Sequence, residues 1–297
     1  MKLLVTGGAG FIGSNLVDEL VHQKHQVLII DNLSTGKKEN LNKKAKFFKK
    51  DIRNYGSIKP LFSGVDCVFH LAAQARIQPS IINPAESFDN NVHGTFNVFL
   101  AAKENKVKKL VYSASSSAYG DQKKLPLTED MIPNCKSPYA LFKYMGEEMA
   151  SLFFQLYGLP VVCLRYFNVY GERQLVEGAY STVIGIFLKQ KKEGKPLTIV
   201  GNGNQRRDFT YVKDVVRANI LAMKSKKAIG HLINIGSGCN YSVNDVAKII
   251  DKNHVFISPR PGESRVTLAD ISKAQKLLRW KPKIKLSDWL ENVKLSE

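Results

Sequence analysis

Long apolar runs are missing from this 297-residue chain. None approaches the roughly 18 residues of a membrane-spanning helix, so a membrane protein of the helical kind is not expected. The N-terminus enters a strand pattern directly, with no basic segment before a long apolar stretch. We therefore expect no signal peptide and a cytoplasmic protein. Cysteine is scarce: Cys67, Cys135, Cys163 and Cys239 stand far apart, two of them inside apolar strand-like runs. That usage fits buried reduced thiols rather than a disulfide framework. The six histidines (His22, His25, His70, His93, His231, His254) form no metal-ligand spacing with cysteine or acid, and no Ser/His/Asp hydrolase elbow is evident. We expect no metal. Tandem repeats and low-complexity segments are also lacking.

Acidic residues are few, 26 against 44 Lys and Arg, which leaves a formal charge of +18. The excess is mostly lysine, and it is dispersed: Lys37/Lys38, Lys43/Lys44, Lys108/Lys109, Lys189–Lys192, Lys226/Lys227. No arginine-rich tract or nucleic-acid motif accompanies it. A solvated lysine surface is expected, with no nucleic-acid partner and a field that helps capture anionic small molecules.

What is present begins at residues 2–13, KLLVTGGAGFIG. Leu3, Leu4, Val5 and Thr6 read as a short buried strand, and Gly7, Gly10 and Gly13 follow, three apart. An amphipathic run over residues 11–21 then places Leu16, Val17, Leu20 and Val21 at helical spacing. In a strand–turn–helix of this kind, Gly7 permits the tight turn, Gly10 lets the backbone approach a pyrophosphate, and Gly13 allows close helix–strand packing. The helix N-terminus offers free N–H groups to phosphates. A second strand, Gln26–Asp31, ends in a carboxylate placed to accept from adenosine ribose hydroxyls, which favours NAD over NADP.

Further apolar segments read as strands at 46–51, 67–73, 109–114 and Val161–Tyr166, alternating with helical stretches at 14–26, 85–105 and 139–157. The alternation predicts an α/β fold, a Rossmann-type doubly wound parallel sheet. From about Asn168 the loops lengthen and grow richer in Gly, Arg and Tyr. Strand and helix return at Ile199, 212–225 and Leu232–Ile235, and a short helix is expected near 270–278. We expect residues 1–167 with about 211–236 to bind the dinucleotide. Residues 168–210 with 237–297 would form a smaller interleaved α/β substrate lobe. Two helices look apolar on more than one face. Phe88, Val92, Phe96 and Phe99 stripe one; Leu141, Met145, Leu152 and Leu156 stripe the other, with Phe142, Met149 and Phe153 on a further face. A surface helix needs one stripe, so these helices are either buried within the monomer or form a two-fold interface; of the two we expect a homodimer through 85–105 and 139–157.

The chemistry gathers at Ser137-Pro138-Tyr139, where Ser137 reads as an N-cap and Pro138 as the first helical residue. Tyr139 and Lys143 are four apart and share a helix face. Ser115-Ser116-Ser117 follows a strand at the edge where such sheets bind ligands. The segments TGGAGFIG, HLAA, NNVHGT, SASSSAYG, SPYALFK, RYFNVYG, RRDFTYV and RPGE appear in one order over nearly the whole chain. Together they resemble the extended short-chain dehydrogenase/reductases.

That resemblance implies Tyr139 as acid/base, Lys143 as its activator and nicotinamide-ribose ligand, and Ser115 as the hydroxyl that orients the reacting oxygen. It implies NAD contacts from Gly7, Gly10, Phe11, Ile12, Gly13, Asp31, Asn32, Asp51, Ile52, Leu71, Ala72, Ala73, Asn91, Ser113, Tyr139, Lys143 and Tyr166. Lowering a tyrosine from a pKa near 10 by three units requires about 4 kcal/mol. An ammonium ~5 Å away at an effective dielectric of ~20 supplies about 3 kcal/mol. The oxidised nicotinamide would contribute the rest.

Family branches that eliminate water or decarboxylate typically carry acids after the first hydroxyl, where this chain has Ser116 and Ser117. The resemblance therefore points to a nucleotide-sugar 4-epimerase. Tyr139 would take the C4 hydroxyl proton while C4 passes hydride to NAD, the keto sugar would turn over, and hydride would return to the other face. The alternatives are another nucleotide-sugar dehydratase or reductase, or a non-catalytic NAD-sensing protein. By the same resemblance the UDP-sugar would contact Arg76, Ser115, Ser116, Asn168, Arg207, Arg260, Glu263 and Thr267. In the epimerases it resembles, the position four past the RPG-acid carboxylate gates the space at the sugar's C2. Thr267 stands there, small enough for an N-acetyl group. The segment QARIQPSI also looks like the N-acetylhexosamine-accepting members.

Overall fold

The computed structural model describes residues 1–176 and 181–295. The first half runs β1 (Lys2–Thr6), α1 (Phe11–His22), β2 (Gln26–Asp31), β3 (Lys46–Lys49), α2 (Tyr55–Ile58), β4 (Cys67–His70), α3 (Ile77–Ile82), α4 (Pro84–Phe88), α5 (Gly94–Glu104), β5 (Lys109–Ser115), α6 (Pro138–Tyr157) and β6 (Val161–Tyr166). The second half runs β7 (Val169–Tyr170), α7 (Val183–Lys192), β8 (Leu197–Val200), β9 (Arg206–Asp208), β10 (Thr210–Tyr211), α8 (Val212–Lys224), β11 (Leu232–Ile235), β12 (Asn240–Ser242), α9 (Val243–Ile250), β13 (His254–Ile257), α10 (Ser272–Leu278) and α11 (Leu286–Leu295).

Seven parallel strands form one sheet in the order β11-β6-β5-β4-β1-β2-β3. Side chains alternate across a strand, so Leu3 and Val5 pack on one face with Leu16, Leu20 of α1 and Val215 of α8. Leu4 packs on the other with Val98, Phe99 of α5 and Phe153 of α6. Burial of both faces explains why the central strands are apolar throughout rather than alternating. The chain reverses direction of travel at β1 and β4, the switch point where such sheets open a crevice. A separate apolar core joins Ile184 and Phe187 of α7, Leu197 and Ile199 of β8, Val246 of α9 and Leu290 of α11. Three two-stranded ladders, β7–β10, β9–β12 and β8–β13, complete the second half.

Several boundaries differ from the sequence reading. The helix expected over 14–26 is Phe11–His22, because Lys24 turns at φ 60° into β2. The helix expected over 85–105 is α4 and α5 joined through a π-turn at Asp89–His93. The strand expected over 67–73 stops at His70, and the chain leaves the sheet toward the crevice. Likewise the strand expected over 46–51 stops at Lys49. Helices α7, α9 and α11 and strands β9, β12 and β13 were not anticipated; they are short and lie among polar loops. Helix α6 opens as expected, with Ser137 Oγ accepting from the Ala140 N–H at 3.2 Å, and closes on Gly158 in the left-handed region.

Helix α6 sits close on β5. A Cβ on Gly146 would fall 2.1 Å from the Tyr112 hydroxyl oxygen. That hydroxyl donates to the Lys143 carbonyl at 3.3 Å. Between α6 and β6, buried Arg165 forks onto Glu147, its Nε donating at 2.8 Å, and its guanidinium lies 4.4 Å from the Tyr119 ring centroid. We expect Gly146→Ala to lower stability by the about 1–3 kcal/mol typical of overpacking. Urea unfolding reads it as a lower midpoint with unchanged slope; an unchanged midpoint would contradict this account of how α6 is seated.

Candidate active site

The crevice is a cavity of about 600 Å³ that runs from Asp31 through Tyr139 to Thr267. At its first end the glycine turn is built as expected. Gly7 has φ 73°, and a Cβ on Gly13 would lie 2.1 Å from the Gly7 carbonyl oxygen. Among the described residues no side chain caps α1, and its first residues, Phe11, Ile12 and Gly13, line the cavity end. Asp31, 8% exposed, accepts from the Ala9 N–H at 3.0 Å and the Leu33 N–H at 2.8 Å, bonds that oppose the upward push of burial on its pKa.

Two residues assigned to the cofactor do not line this cavity. Asp51 is forked by Arg53, with Nη2 donating at 2.7 Å, which holds its pKa down at about 2. Asn32 donates to it at 3.0 Å. Asn91 is 1% exposed and clamps the backbone of Gln74, accepting from its N–H at 2.9 Å and donating to its carbonyl at 3.0 Å. Asn91 thus shapes the loop after β4 from behind. A buried network unseen in the sequence supports the same loop. Thr6 Oγ1 bonds His70 Nδ1 at 2.7 Å and accepts from the Ala72 N–H at 3.2 Å, and His70 Nε2 meets Thr95 Oγ1 at 3.0 Å. Burial lowers the His70 pKa to about 3, so the ring is neutral. A histidine inside an apolar strand was the available signal.

The centre brings Ser113, Ser115, Ser116, Tyr139 and Lys143 to one wall. Lys143 Nζ donates to the Ser113 carbonyl at 2.8 Å and lies 5.1 Å from the Tyr112 ring centroid. Burial lowers its pKa to about 8. The Tyr139 backbone N–H donates to Ser80 Oγ at 3.0 Å, and its side chain lines the cavity with Ser115. Burial raises the Tyr139 pKa, and the Ser115 hydroxyl and the Arg76 charge oppose the rise. The Lys143 ammonium, expected to act on this phenol, is held by the Ser113 carbonyl, and Arg76 is a second cation near Tyr139 that the sequence did not suggest in this role. Arg76 holds φ 115°, a region strained for a side-chain-bearing residue.

At the far end Asn168 Nδ2 donates to the Asp208 carbonyl at 3.3 Å and to Thr267 Oγ1 at 3.4 Å. Thr267, 5% exposed, also accepts from the Asp208 N–H at 3.1 Å. Arg207 and Glu263, assigned separately to phosphate and ribose, face each other with Nη2 to Oε2 at 3.1 Å. Arg260 is exposed at the rim. Tyr166 lines the cavity, but its hydroxyl donates to Asn219 Oδ1 of α8 at 2.8 Å. Leu175, Phe187, Gln205 and Ser264 also line it and were missed, since they come from segments distant in sequence. Among the described residues no cluster of His, Cys, Asp or Glu suits a metal, and no helix is long and apolar enough to cross a membrane.

Residues 3–236 match the model of the NAD dependent epimerase/dehydratase family. The chain is 42% identical to a putative UDP-glucose 4-epimerase of Methanocaldococcus jannaschii, over 98% of this chain and 96% of that protein. It is 37% identical to a UDP-glucuronate 4-epimerase of Thermodesulfobacterium geofontis, over 98% and 94%. A solved UDP-N-acetylglucosamine 4-epimerase of Methanobrevibacter ruminantium, in complex with UDP-N-acetylmuramic acid, superposes with a TM-score of 0.91 at 37% identity, covering 97% of this chain and 95% of that one.

The seating of Lys143 has a pH signature. Its folded pKa is about 8 against an ordinary 10.5. Between those values the unfolded chain binds more protons, so this lysine makes stability rise with pH through that window. We expect Lys143→Met to flatten the rise in unfolding free energy between about pH 8 and 10.5. Equal slopes in the two proteins would contradict the burial of this charge.

Proposed function

The chain belongs to the NAD-dependent epimerase/dehydratase family, and on that premise we propose that it interconverts C4 epimers of UDP-hexoses, both UDP-GlcNAc/UDP-GalNAc and UDP-Glc/UDP-Gal. The coarser activity, an NAD-dependent UDP-sugar 4-epimerase and hence an isomerase, follows from its relatives. The observation that carries the reading is that Ser115 and Tyr139 line one cavity beside Ser116 and Ser117, with no carboxylate at either position.

The residues present fit the dinucleotide. The uncapped N-terminus of α1 suits a pyrophosphate, Asp31 keeps a carboxylate at the cavity wall, and the buried Gln74 Oε1 lacks a partner among the described residues. Gly7–Gly13, Asp31, Ser113 and Lys143 would hold it, and when bound it supplies a reversible hydride acceptor. Tyr139 accepts the proton of the C4 hydroxyl, Ser115 orients that oxygen, and Tyr139 returns the proton after the keto sugar has turned. Arg207 exchanges Glu263 for phosphate oxygens, joined by Arg260, since guanidinium forks suit them. Glu263, released, takes the ribose, and Asn168 the diphosphate or sugar. Thr267 already accepts two N–H groups, so its remaining hydroxyl proton is available to an acetamide carbonyl. Residues 1–167 with about 211–236 serve the cofactor, and 168–210 with 237–297 the nucleotide sugar. We read the protein as cytoplasmic on its unpaired cysteine thiols.

A second reading concerns the sugar. Arg76 lines the cavity with its charge toward Tyr139, which favours an anionic sugar such as a hexuronate. One NMR panel of UDP-sugars separates the readings. We expect turnover of both plain and acetylated pairs. Tyr139→Phe should lower it by at least the ~10²-fold typical of a lost general base, with NAD binding retained. Thr267→Tyr should suppress the acetylated pair selectively. Equal loss of both pairs would overturn the gate, turnover of UDP-glucuronate alone would favour the second reading, and loss of water would mean a dehydratase.

We also propose a homodimer through 85–105, which spans α4 and α5, and 139–157, which is α6. Phe88, Phe96, Leu141, Leu152 and Leu156 are each more than two-fifths exposed, whereas Val92, Phe99, Phe142 and Phe153 are buried in the monomer. Several large apolar side chains exposed on neighbouring helices support an interface there. Sedimentation should give a dimer for the wild type and a monomer for the Leu152→Glu/Leu156→Glu variant; a monomeric wild type would refute it.

A further inference from the structure

Tyr139 stands in the first turn of α6, and the donors of that turn show how it is seated. Pro138, the first helical residue, has no N–H. The Ala140 N–H is taken by Ser137 Oγ at 3.2 Å, and the Leu141 N–H by the Ser137 carbonyl at 3.1 Å. The donor left over is that of Tyr139 itself, which its own helix cannot satisfy. Its partner comes from 59 residues earlier in the chain: the Tyr139 N–H donates to Ser80 Oγ of α3 at 3.0 Å. Ser80 is fully buried, and its hydroxyl donates in turn to the Ile77 carbonyl at 2.7 Å. The proposed reaction gives Ser80 no task.

A hydroxyl has one proton to give. Ser80 spends its proton inside α3, so its oxygen meets Tyr139 as an acceptor of fixed direction. Helix α3 is itself held on its other side. Gln78 Nε2 donates to the Pro261 carbonyl at 2.8 Å, and a Cβ on Gly262 would lie 3.0 Å from Ile77 Cγ2 and 3.2 Å from Ile81 Cδ1. The bond from Lys143 to the Ser113 carbonyl fixes α6 one turn further on. Tyr139 belongs to the terminal turn, and helix ends fray. We propose that Ser80 is a positioning residue: its hydroxyl holds the backbone of Tyr139 against α3, and so sets where the phenol stands in the cavity. The role is sensitive because a base displaced by about 1 Å can cost ~10²-fold in rate. Ser80 carries no charge and acts on the backbone, so its contribution is separable from those of Arg76 and Lys143.

The proposal rests on Tyr139 acting as the base, and its test includes a readout that needs no sugar. Amide hydrogen exchange reports local opening. In NAD-loaded protein we expect Ser80→Ala to speed exchange at the Tyr139 amide at least about fivefold, the low end for a hydrogen bond left unmade. Amides of residues 145–157, later in α6, should be unmoved. With a UDP-sugar, kcat should fall about tenfold while KM stays within about twofold. Ser80→Cys, which keeps the volume and weakens the acceptor, should give a smaller loss of the same kind. In a Tyr139→Phe background, Ser80→Ala should cost no further kcat, because a residue that acts through the phenol has nothing left to position. Unmoved exchange at Tyr139, faster exchange with kcat unchanged, a rise in KM that matches the loss in kcat, or an additive loss in the double variant would overturn the proposal. If exchange responds as expected while the wild type epimerises no UDP-sugar, the proposed function fails and the role of Ser80 in seating Tyr139 stands.

Discussion

The hydrogen bond from Lys143 Nζ to the Ser113 carbonyl holds the site together. It ties the helix that carries Tyr139 to the strand that carries Ser115. The tie is short because α6 presents Gly146 where a larger residue would meet Tyr112. The same helix is pinned at its next turn by the buried Glu147–Arg165 pair. Removing one member of such a pair leaves an uncompensated charge, so the geometry is strongly defended. The cost of burying Lys143 appears in its depressed pKa. The fold tolerates this charge because the ammonium finds a carbonyl and an aromatic face.

The rest of the cavity is positioned from the sheet's switch point. Loops leaving β1 and β4 form the dinucleotide end, and their shape is set by groups that never reach the cavity. Thr6, His70 and Thr95 bond one another beneath the turn, and Asn91 holds the backbone of Gln74 from behind. The far end comes from the second core, through β9 and the strand-like segment around Thr267. There Arg207 pairs with Glu263 and also donates to the Arg206 and Arg265 carbonyls.

Much of this was legible in the sequence where the determinant is local. Strands Gln26–Asp31 and Val161–Tyr166 have the expected bounds because burial on both faces gives each a continuous apolar run, Val27–Ile30 in one and Val161–Leu164 in the other. Helix α6 was readable from its Ser-Pro opening and glycine close. The resemblance supplied Ser115, Tyr139 and Lys143 as candidates, and all three line the cavity. What was not legible is non-local. No spacing shows that Arg207 meets Glu263, that Asn91 turns inward, or that Arg76 comes near Tyr139. Helix α9 had a local signal, a capping box of Ser242 and Asp245. It went unread because aspartate replaces the usual glutamate or glutamine.

The central claim is that one cavity removes hydrogen from a sugar carbon and returns it to the same carbon from the other face. The most direct measurement is the fate of a deuterium placed at C4 of an accepted UDP-sugar and followed by NMR and mass spectrometry in ordinary water. The account predicts that the epimerised product keeps the deuterium at C4, with the label neither exchanged nor left on the cofactor. Loss of the label to solvent, or its accumulation on reduced NAD with a keto sugar released, would contradict it.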